Sequence, residues 1–432
     1  MPFAALDLHK KIVEAIVLDD AGNIVHRDRF PATGEALLAF ARKHLAPDCQ
    51  LAIEATTNTW PVVALLQPLV HSITVSNPMA TRAIAQSKVK TDKVDALVLA
   101  QLLRCDFLPK VWTPDAQTQQ LRQLCTERAT LTADRTCVKN RIHSLLHQRL
   151  IEAPAGDLFS KENLAWLARL DLDPIGKQAL DRQLFFLDMI STEAEMFNDH
   201  LAGIAYKSKE VQLLMTLPGV DFPVAETLLA MIGDWRRFPD GDKAAAYFGL
   251  VPSTRQSADK CYHGPITKHG KGHARWMLVQ AAQHLDSHPG PLGVFFRRIA
   301  KRKNRNVAVV ATARKMVSIA WHMLKNNEPY RYADPKTTEA KMSRLRVRAT
   351  GKKRKGGNPK GQPRPASYGT GRPTRAVHAL GDVYAKEGLP PLRELSAGEK
   401  KMCQQHGVDG YAAAIRQTRR VPRKEKPATP KA

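Results

Sequence analysis

The chain has 432 residues, 43% of them hydrophobic and 25% charged, which is enough for several domains with real cores. Lys and Arg (66) outnumber Asp and Glu (41), and this net charge of +25 predicts a polyanionic partner, because binding it releases condensed counterions. The six cysteines form no Cys-x-x-Cys pair, and no apolar run reaches the ~18 residues of a membrane span. These features argue against a zinc finger, a disulfide scaffold and a membrane protein. The start has no signal-peptide pattern, so we expect a cytoplasmic protein.

The pattern of the first 110 residues predicts an α/β domain. Thr33 is a candidate helix cap, with Glu35 in the first turn of the helix. We expect strands over 3–8, 11–18, 24–30, 50–55 and 72–75, and helices over 33–45, 60–69 and 78–103. Three strands joined by tight turns, followed by alternating helices and strands, predict a mixed sheet flanked by helices.

The next two segments are predicted to be mainly helical. Over 111–212, apolar residues recur at helical spacing without strand signals, which predicts a helical hairpin or coiled-coil arm. Over 213–330 we expect a mainly α domain. Its Leu217-Pro-Gly-Val220 turn fits either a helix-hairpin-helix, whose turn amides face a phosphate backbone, or a plain turn between helices.

The last segment, 331–432, is a basic extension. From Pro335 to Ala432 there are 24 Lys or Arg residues against 7 Asp or Glu residues. Over 335–375 the basic residues are followed by repeated prolines, which predicts a flexible arm, since such a stretch buries too little apolar surface to offset its ordering entropy. The arm is either a solubilising tail or a non-specific phosphate-binding segment, and we favour the second reading.

Four carboxylates occupy positions that suggest a metal site. Asp7 interrupts the apolar first strand, where a carboxylate is costly unless it is paired or binds metal. Glu54 ends the fourth strand, and Asp92 and Asp95 share one face of a predicted helix because they are three residues apart. One such acid alone is usually a solvated side chain. Four that converge need a cation, and their hard oxygens favour Mg²⁺ or Mn²⁺, two of which can clamp a phosphodiester displacement.

These acids lie in the motifs Leu6-Asp-Leu-His-Lys10, Ile53-Glu-Ala-Thr56 and Lys90-Thr-Asp-Lys-Val-Asp-Ala96. The motifs resemble those of the insertion-sequence 110 family of transposases, which is related to the pilin-gene DNA invertases. The resemblance implies a RuvC-like, RNase H-type N-terminal domain over 1–110. It also implies an Asp-Glu-Asp-Asp tetrad that holds metal at Asp7, Glu54, Asp92 and Asp95.

A second motif region begins at Ala246 and contains a Gly-rich loop with hydroxyls and bases. A serine there could attack a phosphate, with nearby cations stabilising the developing charge, although most loop serines have no such role. The segments Gly249-Leu-Val-Pro252 and Gly264-Pro-Ile-Thr-Lys-His-Gly270 resemble the C-terminal domain of the same family. The resemblance places the nucleophile at Ser257, with Ser253 as the alternative. The cations expected to contact nucleic acid are Arg255, Lys260, Lys268 and Arg275.

The resemblance implies a site-specific DNA recombinase that forms a phosphoserine link to DNA. Family members assemble as homodimers or homotetramers and are directed by a structured bridge RNA, so that base pairing selects the donor and target DNA. Two other hypotheses stay open. One is a metal-dependent, junction-resolving nuclease that needs the tetrad but not Ser257. The other is a nucleic-acid scaffold in which both groups are incidental.

Overall fold

The structure is a computed structural model that describes residues 1–84, 92–257, 260–352 and 374–422. Its contacts divide the chain into two compact units, Met1–Asp115 and Ala116–Ala432, which we call unit 1 and unit 2. Each unit has its own hydrophobic core.

Unit 1 contains five strands and the helices that cover them. Thr33 caps the first helix by accepting a hydrogen bond from the Ala36 amide, as the sequence predicts. In chain order the elements are β1 (Phe3–Leu8), β2 (Ile12–Leu18), β3 (Ile24–Pro31), α1 (Gly34–His44), β4 (Gln50–Glu54), α2 (Thr59–Leu66), β5 (Ser72–Ser76), α3 (Pro78–Ile84) and α4 (Asp92–Arg104).

The five strands form one mixed sheet in the order β3-β2-β1-β4-β5. Strands β1 to β3 are antiparallel neighbours, whereas β4 runs parallel to β1 and β5 runs parallel to β4. The predicted mixed sheet flanked by helices is therefore confirmed. Alternate residues face opposite sides, so Leu6 and Ile53 pack toward α1 and α2, while Ala5 and Ala52 pack against Leu99 of α4.

Unit 2 is mainly helical. Its elements in chain order are α5 (Ala116–His147), α6 (Lys161–Arg169), α7 (Pro174–Lys207), α8 (Lys209–Leu214), α9 (Phe222–Ile232), α10 (Gly241–Tyr247), β6 (Pro252–Ser257), β7 (Lys260–Ile266), α11 (Gly272–Gln283), α12 (Pro291–Arg302), α13 (Arg305–Asn326), α14 (Pro335–Thr350), β8 (Thr374–Val377), α15 (Leu380–Lys386), α16 (Ala397–Gln405), α17 (Asp409–Ala414) and β9 (Arg419–Pro422). The long helices α5 and α7 pack on each other, with Ile142 and Leu180 in a shared apolar cluster.

The expectation of a flexible arm from residue 335 is wrong for the part that the structure describes. Residues 335–350 form α14, whose Met342 and Leu345 are buried in the unit 2 core. Tyr384 of α15 and Cys403 of α16 are buried in the same core. The apolar residues in this basic segment are few, but Met342 and Leu345 are three residues apart on one side of α14, so this helix is stabilised by packing on the rest of unit 2. Residues 353–373 of the predicted arm lie outside the described residues.

One described helix, α13, has the length and apolar composition of a membrane span, although half of its apolar window is buried. Ala313, Val317 and Trp321 on its buried side belong to the core of unit 2. The core helix of a soluble domain passes the same test of length and composition, so this finding is weak evidence for a membrane. A cytoplasmic location stays a prediction.

A buried lysine holds the turn between α8 and α9. Lys341 of α14 is 5% exposed, and its ammonium donates hydrogen bonds to the carbonyls of Met215, Leu217 and Val220, the last two at 2.8 Å. Burial lowers the pKa of Lys341 to about 7. The three carbonyl acceptors act in the opposite direction, because they match the three N–H donors of the charged ammonium. In the same turn Gly219 has φ +76°, and a Cβ there would lie 2.4 Å from the Ala281 carbonyl oxygen.

We expect Lys341→Met to destabilise unit 2 by about 2 kcal/mol, because it leaves the buried carbonyls of Met215 and Val220 without donors at about 1 kcal/mol or more each, whereas the Leu217 carbonyl still accepts from the Val220 amide. The measurement is the urea midpoint of unfolding. The control is Lys336→Met on the same helix, where the side chain is exposed, and it should change the free energy of unfolding by less than about 0.5 kcal/mol. Equal midpoints for the two variants would contradict the role given to Lys341.

Glu226 of α9 is a buried carboxylate that we expect to make stability depend on pH. The residue is 0% exposed, and neither carboxyl oxygen has a hydrogen-bond partner among the described residues. Burial raises its pKa to about 9, with Arg128 opposing the shift. In the unfolded chain the Glu226 carboxyl ionises near pH 4.5. Its contribution to the free energy of unfolding therefore declines as the pH rises from about 4.5 to about 9. We expect Glu226→Gln to flatten that decline in urea unfolding, and an unchanged decline would contradict this assignment.

Candidate active site

The first predicted acid, Asp7, lies in the central strand of unit 1. It is 5% exposed and follows Ala5 on the face of the sheet that α4 covers. One oxygen, Oδ2, is 3.2 Å from Nε2 of His9, whose ring is half exposed. A carboxylate at this depth has lost most of its hydration, so it binds a cation far more strongly than a surface acid does.

The second predicted acid, Glu54, ends the parallel neighbour of β1. Leu6 pairs with Ile53, so Asp7 and Glu54 follow at the same level of the sheet. Glu54 is two residues after Ala52 on the same strand and therefore also faces the α4 side of the sheet. The buried hydroxyl of Thr59 fixes the turn after β4, because it accepts from the Thr56 amide at 2.7 Å and lies 3.3 Å from the Glu54 carbonyl.

The last two predicted acids lie at the start of α4. This helix packs on β1, β2 and β4, and its buried stripe contains Ala96, Leu99 and Leu103. Asp95 is half-buried in the first turn, next to Ala96. Asp92 begins the helix, but its side chain lies outside the described part of the chain. The start of α4 thus shares a face of the sheet with Asp7 and Glu54.

A fifth acid on this face, Glu14, was missed by the sequence analysis. Glu14 pairs directly with Asp7 across β1 and β2, and it is 6% exposed. Its Oε1 is 2.9 Å from Nε of Arg29 on β3. Glu14 and Ala96 line one cavity of about 320 Å³. The signal was available, because Glu14 interrupts an apolar strand in the same way that Asp7 does.

The predicted nucleophile lies in unit 2, on a two-stranded hairpin formed by β6 and β7. Ser257 is exposed and pairs with Lys260 across the hairpin. Arg255 is two residues before Ser257, so it lies on the same face, and it is also exposed. The alternative nucleophile, Ser253, is half-buried. Its Oγ lies against Gly264, where an added Cβ would be only 2.5 Å from that oxygen.

The two glycine motifs of unit 2 pack against each other. Gly249 has φ +66°, and a Cβ there would lie 2.5 Å from the His269 carbonyl oxygen. Gly270 has φ +73°, and a Cβ there would lie 2.5 Å from the Tyr247 carbonyl oxygen. The amide of Lys268 donates to the Gly249 carbonyl at 3.2 Å. Both motifs therefore need glycine, because a side chain at either position would push apart the segments at the base of the hairpin.

The remaining predicted cations have different surroundings. Lys268 is exposed beside the hairpin, with φ +55°. Arg275 of α11 is half-buried, and its Nη1 donates to the carbonyls of Phe248 at 3.2 Å and His269 at 3.1 Å. Arg275 therefore links α11 to both glycine motifs, and nucleic-acid contact by these residues stays a prediction.

Two known families match the chain, one over a range in which the acids of unit 1 lie and one over a range in unit 2. A DEDD-type IS110 family described as "Transposase" matches residues 4–150, a range that contains Asp7, Glu54, Asp92 and Asp95. A second family, described as "Transposase IS116/IS110/IS902 family", matches residues 211–293, a range that contains Ser257.

Individual relatives agree with these families. The transposase for insertion sequence element IS1328 from Yersinia enterocolitica is 25% identical over 73% of this chain and 94% of its own length. The putative transposase y4qE from Sinorhizobium fredii is 27% identical over 62% of this chain and 64% of its own length, so this chain spans less than two thirds of that relative. The pilin gene-inverting protein from Moraxella bovis is 25% identical over 65% of this chain and 81% of its own length. The chain belongs to the IS110 family of transposases, which are enzymes that cut and rejoin DNA.

Proposed function

We propose that this transposase excises and inserts its insertion sequence through a covalent phosphoserine at Ser257. Mg²⁺ or Mn²⁺ would be held by Asp7, Glu54, Asp92 and Asp95. The observation that carries the proposal is the row of acids on one face of the unit 1 sheet, with Asp7 buried and α4 starting on the same face. Carboxylate oxygens are hard ligands, so the donor set fits these ions better than zinc.

The hairpin of unit 2 supplies the nucleophile in this proposal. The Ser257 Oγ forms a bond to the scissile phosphorus, the bond from phosphorus to a deoxyribose oxygen breaks, and the serine proton is transferred while that oxygen gains a proton. Lys260 and Arg255 lie on the Ser257 face and would stabilise charge on the phosphate oxygens. Bound metal would polarise the phosphate and stabilise the leaving oxygen.

Two parts of the proposal come from the family resemblance. A structured bridge RNA would select donor and target DNA by base pairing, which would leave the protein to bind backbone and shape. A homodimer or homotetramer would hold the two DNA ends together. The net charge of +25 supports binding of nucleic acid.

The test is to incubate the purified protein with its RNA, Mg²⁺ and DNA that carries the element's junctions. A denaturing gel should show a covalent protein–DNA adduct, and mass spectrometry of the digested adduct should place the phosphate on Ser257. Cleavage without any adduct would instead favour the junction-resolving nuclease. Binding without cleavage would favour the scaffold.

The basic segment around residue 355 is predicted to bind phosphate. Deleting 335–432 would also remove α14 and its buried residues, so charge replacement is the cleaner test. Each lost phosphate contact should reduce the slope of log affinity against log salt by about 0.9. The variant replaces Lys352, Lys353, Arg354, Lys355 and Lys360 with Gln, and the control exchanges Lys and Arg at the same positions. An equal slope for variant and control would show that the segment makes no phosphate contact.

A further inference from the structure

Two imidazoles and a carboxylate meet on the opposite face of the unit 1 sheet from Asp7. His26 and Asp28 are two residues apart on β3, so they share a face, and their register partners Val17 and Ala15 both belong to the core on the α1 side. His44 comes from the last turn of α1. One potential ligand atom from each of the three side chains lies within 4.8 Å of the other two.

One nitrogen of this cluster is unsatisfied. Nε2 of His26 is shielded from solvent and has no hydrogen-bond partner among the described residues. A buried polar atom without a partner costs free energy, and a bound ion or water is the usual explanation in a native fold. This orphaned nitrogen is a second observation, independent of the clustering, that indicates a ligand.

The two imidazole rings are stacked, with centroids 3.6 Å apart and an angle of 11° between their planes. The nitrogen lone pairs of two stacked rings lie in two nearly parallel planes, so one ring must rotate about its Cβ–Cγ bond before both can bind one ion. That torsion is soft. Tetrahedral ligands at about 2.0–2.1 Å from an ion are about 3.4 Å apart, so ligand atoms that lie within 4.8 Å of one another must approach by at most about 1.4 Å.

We propose that His26, Asp28 and His44 form a three-ligand site for Zn²⁺ or a similar borderline divalent metal, with a water in the fourth position. Imidazole ligands favour such metals, whereas the all-oxygen set around Asp7 favours Mg²⁺. The site would tie the edge strand β3 to α1. Because β3 also carries Arg29, which pairs with Glu14, the metal would steady the strand that flanks the candidate active site.

The test is zinc titration by calorimetry on chelator-treated protein, in excess Mg²⁺ so that the acidic site does not take up zinc. Cobalt should also give the visible absorption of a tetrahedral site. His44→Gln should weaken zinc binding by at least ~10-fold and abolish the cobalt band. The control His71→Ala, an exposed histidine in the same unit, should bind like the unaltered protein.

Folding is checked by far-ultraviolet circular dichroism, and a second variant, Asp28→Asn, covers the case in which His44→Gln fails to fold. Zinc should raise the thermal midpoint of the unaltered protein but not that of the site variants. If the folded site variants bind zinc as tightly as the His71→Ala control, or if the unaltered protein binds none, the proposal is overturned.

Discussion

Asp7→Asn is expected to abolish DNA cleavage while leaving the fold intact. The amide keeps the shape of the side chain but removes the charge, so a divalent ion loses a buried anionic ligand. Metal stabilisation of phosphoryl transfer is worth several kcal/mol, which corresponds to a loss of about 10³-fold or more in the cleavage rate. The rate is measured on junction DNA in Mg²⁺.

The fold should survive Asp7→Asn because the change removes one of two adjacent buried carboxylates. Asp7 and Glu14 are paired across β1 and β2, and like charges directly opposite each other are destabilising. Mg²⁺ should raise the thermal midpoint of the unaltered protein and have a much smaller effect on the variant. Asp20→Asn, at an exposed position in the same unit, is the control. Cleavage by Asp7→Asn at the control rate would remove Asp7 from the catalytic site.

Ser257→Ala is expected to eliminate both the covalent adduct and strand exchange. Removing a serine nucleophile in other enzymes costs many orders of magnitude, so we expect a loss of at least ~10⁴-fold. DNA affinity should be nearly unchanged, because Ser257 is exposed and the neighbouring cations Lys260 and Arg255 remain. The adduct is measured on a denaturing gel, and DNA affinity is measured by gel shift at a fixed salt concentration.

Ser253→Ala is the matched control for Ser257→Ala. Ser253 lies on the same strand but is half-buried against Gly264, so its removal should leave the adduct intact apart from a small effect on hairpin packing. An adduct that persists in Ser257→Ala and disappears in Ser253→Ala would move the nucleophile to Ser253. Cleavage that continues without an adduct in Ser257→Ala would favour the nuclease reading.

Much of unit 1 could be predicted from local pattern. Strands β1 and β2 are apolar runs, each interrupted by one carboxylate, and Thr33 caps α1 as expected, because both signals depend on neighbouring residues alone. Asp7 was recognisable because it interrupts such a run. The pairing of Glu14 with Asp7 depends on the register of β1 and β2, and the stacking of His44 on His26 depends on how α1 packs on the sheet. No local sequence pattern encodes either arrangement.

Unit 2 was harder to predict for the same reason. The hairpin of β6 and β7 was expected as a Gly-rich loop, because its exposed residues show no apolar alternation. Helix α14 was expected as part of a flexible arm, because its many basic residues conceal the few apolar ones that reach the core. Lys341 illustrates the limit, since a lysine buried on three carbonyls has the same sequence signature as a solvated one.

The most direct measurement is an anomalous diffraction map of crystals soaked in Mn²⁺. A manganese peak should lie within about 2.2 Å of carboxylate oxygens from Asp7 and at least one of Glu54, Asp92 and Asp95. Strong peaks elsewhere, with none beside Asp7, would show that these acids do not hold the catalytic metal.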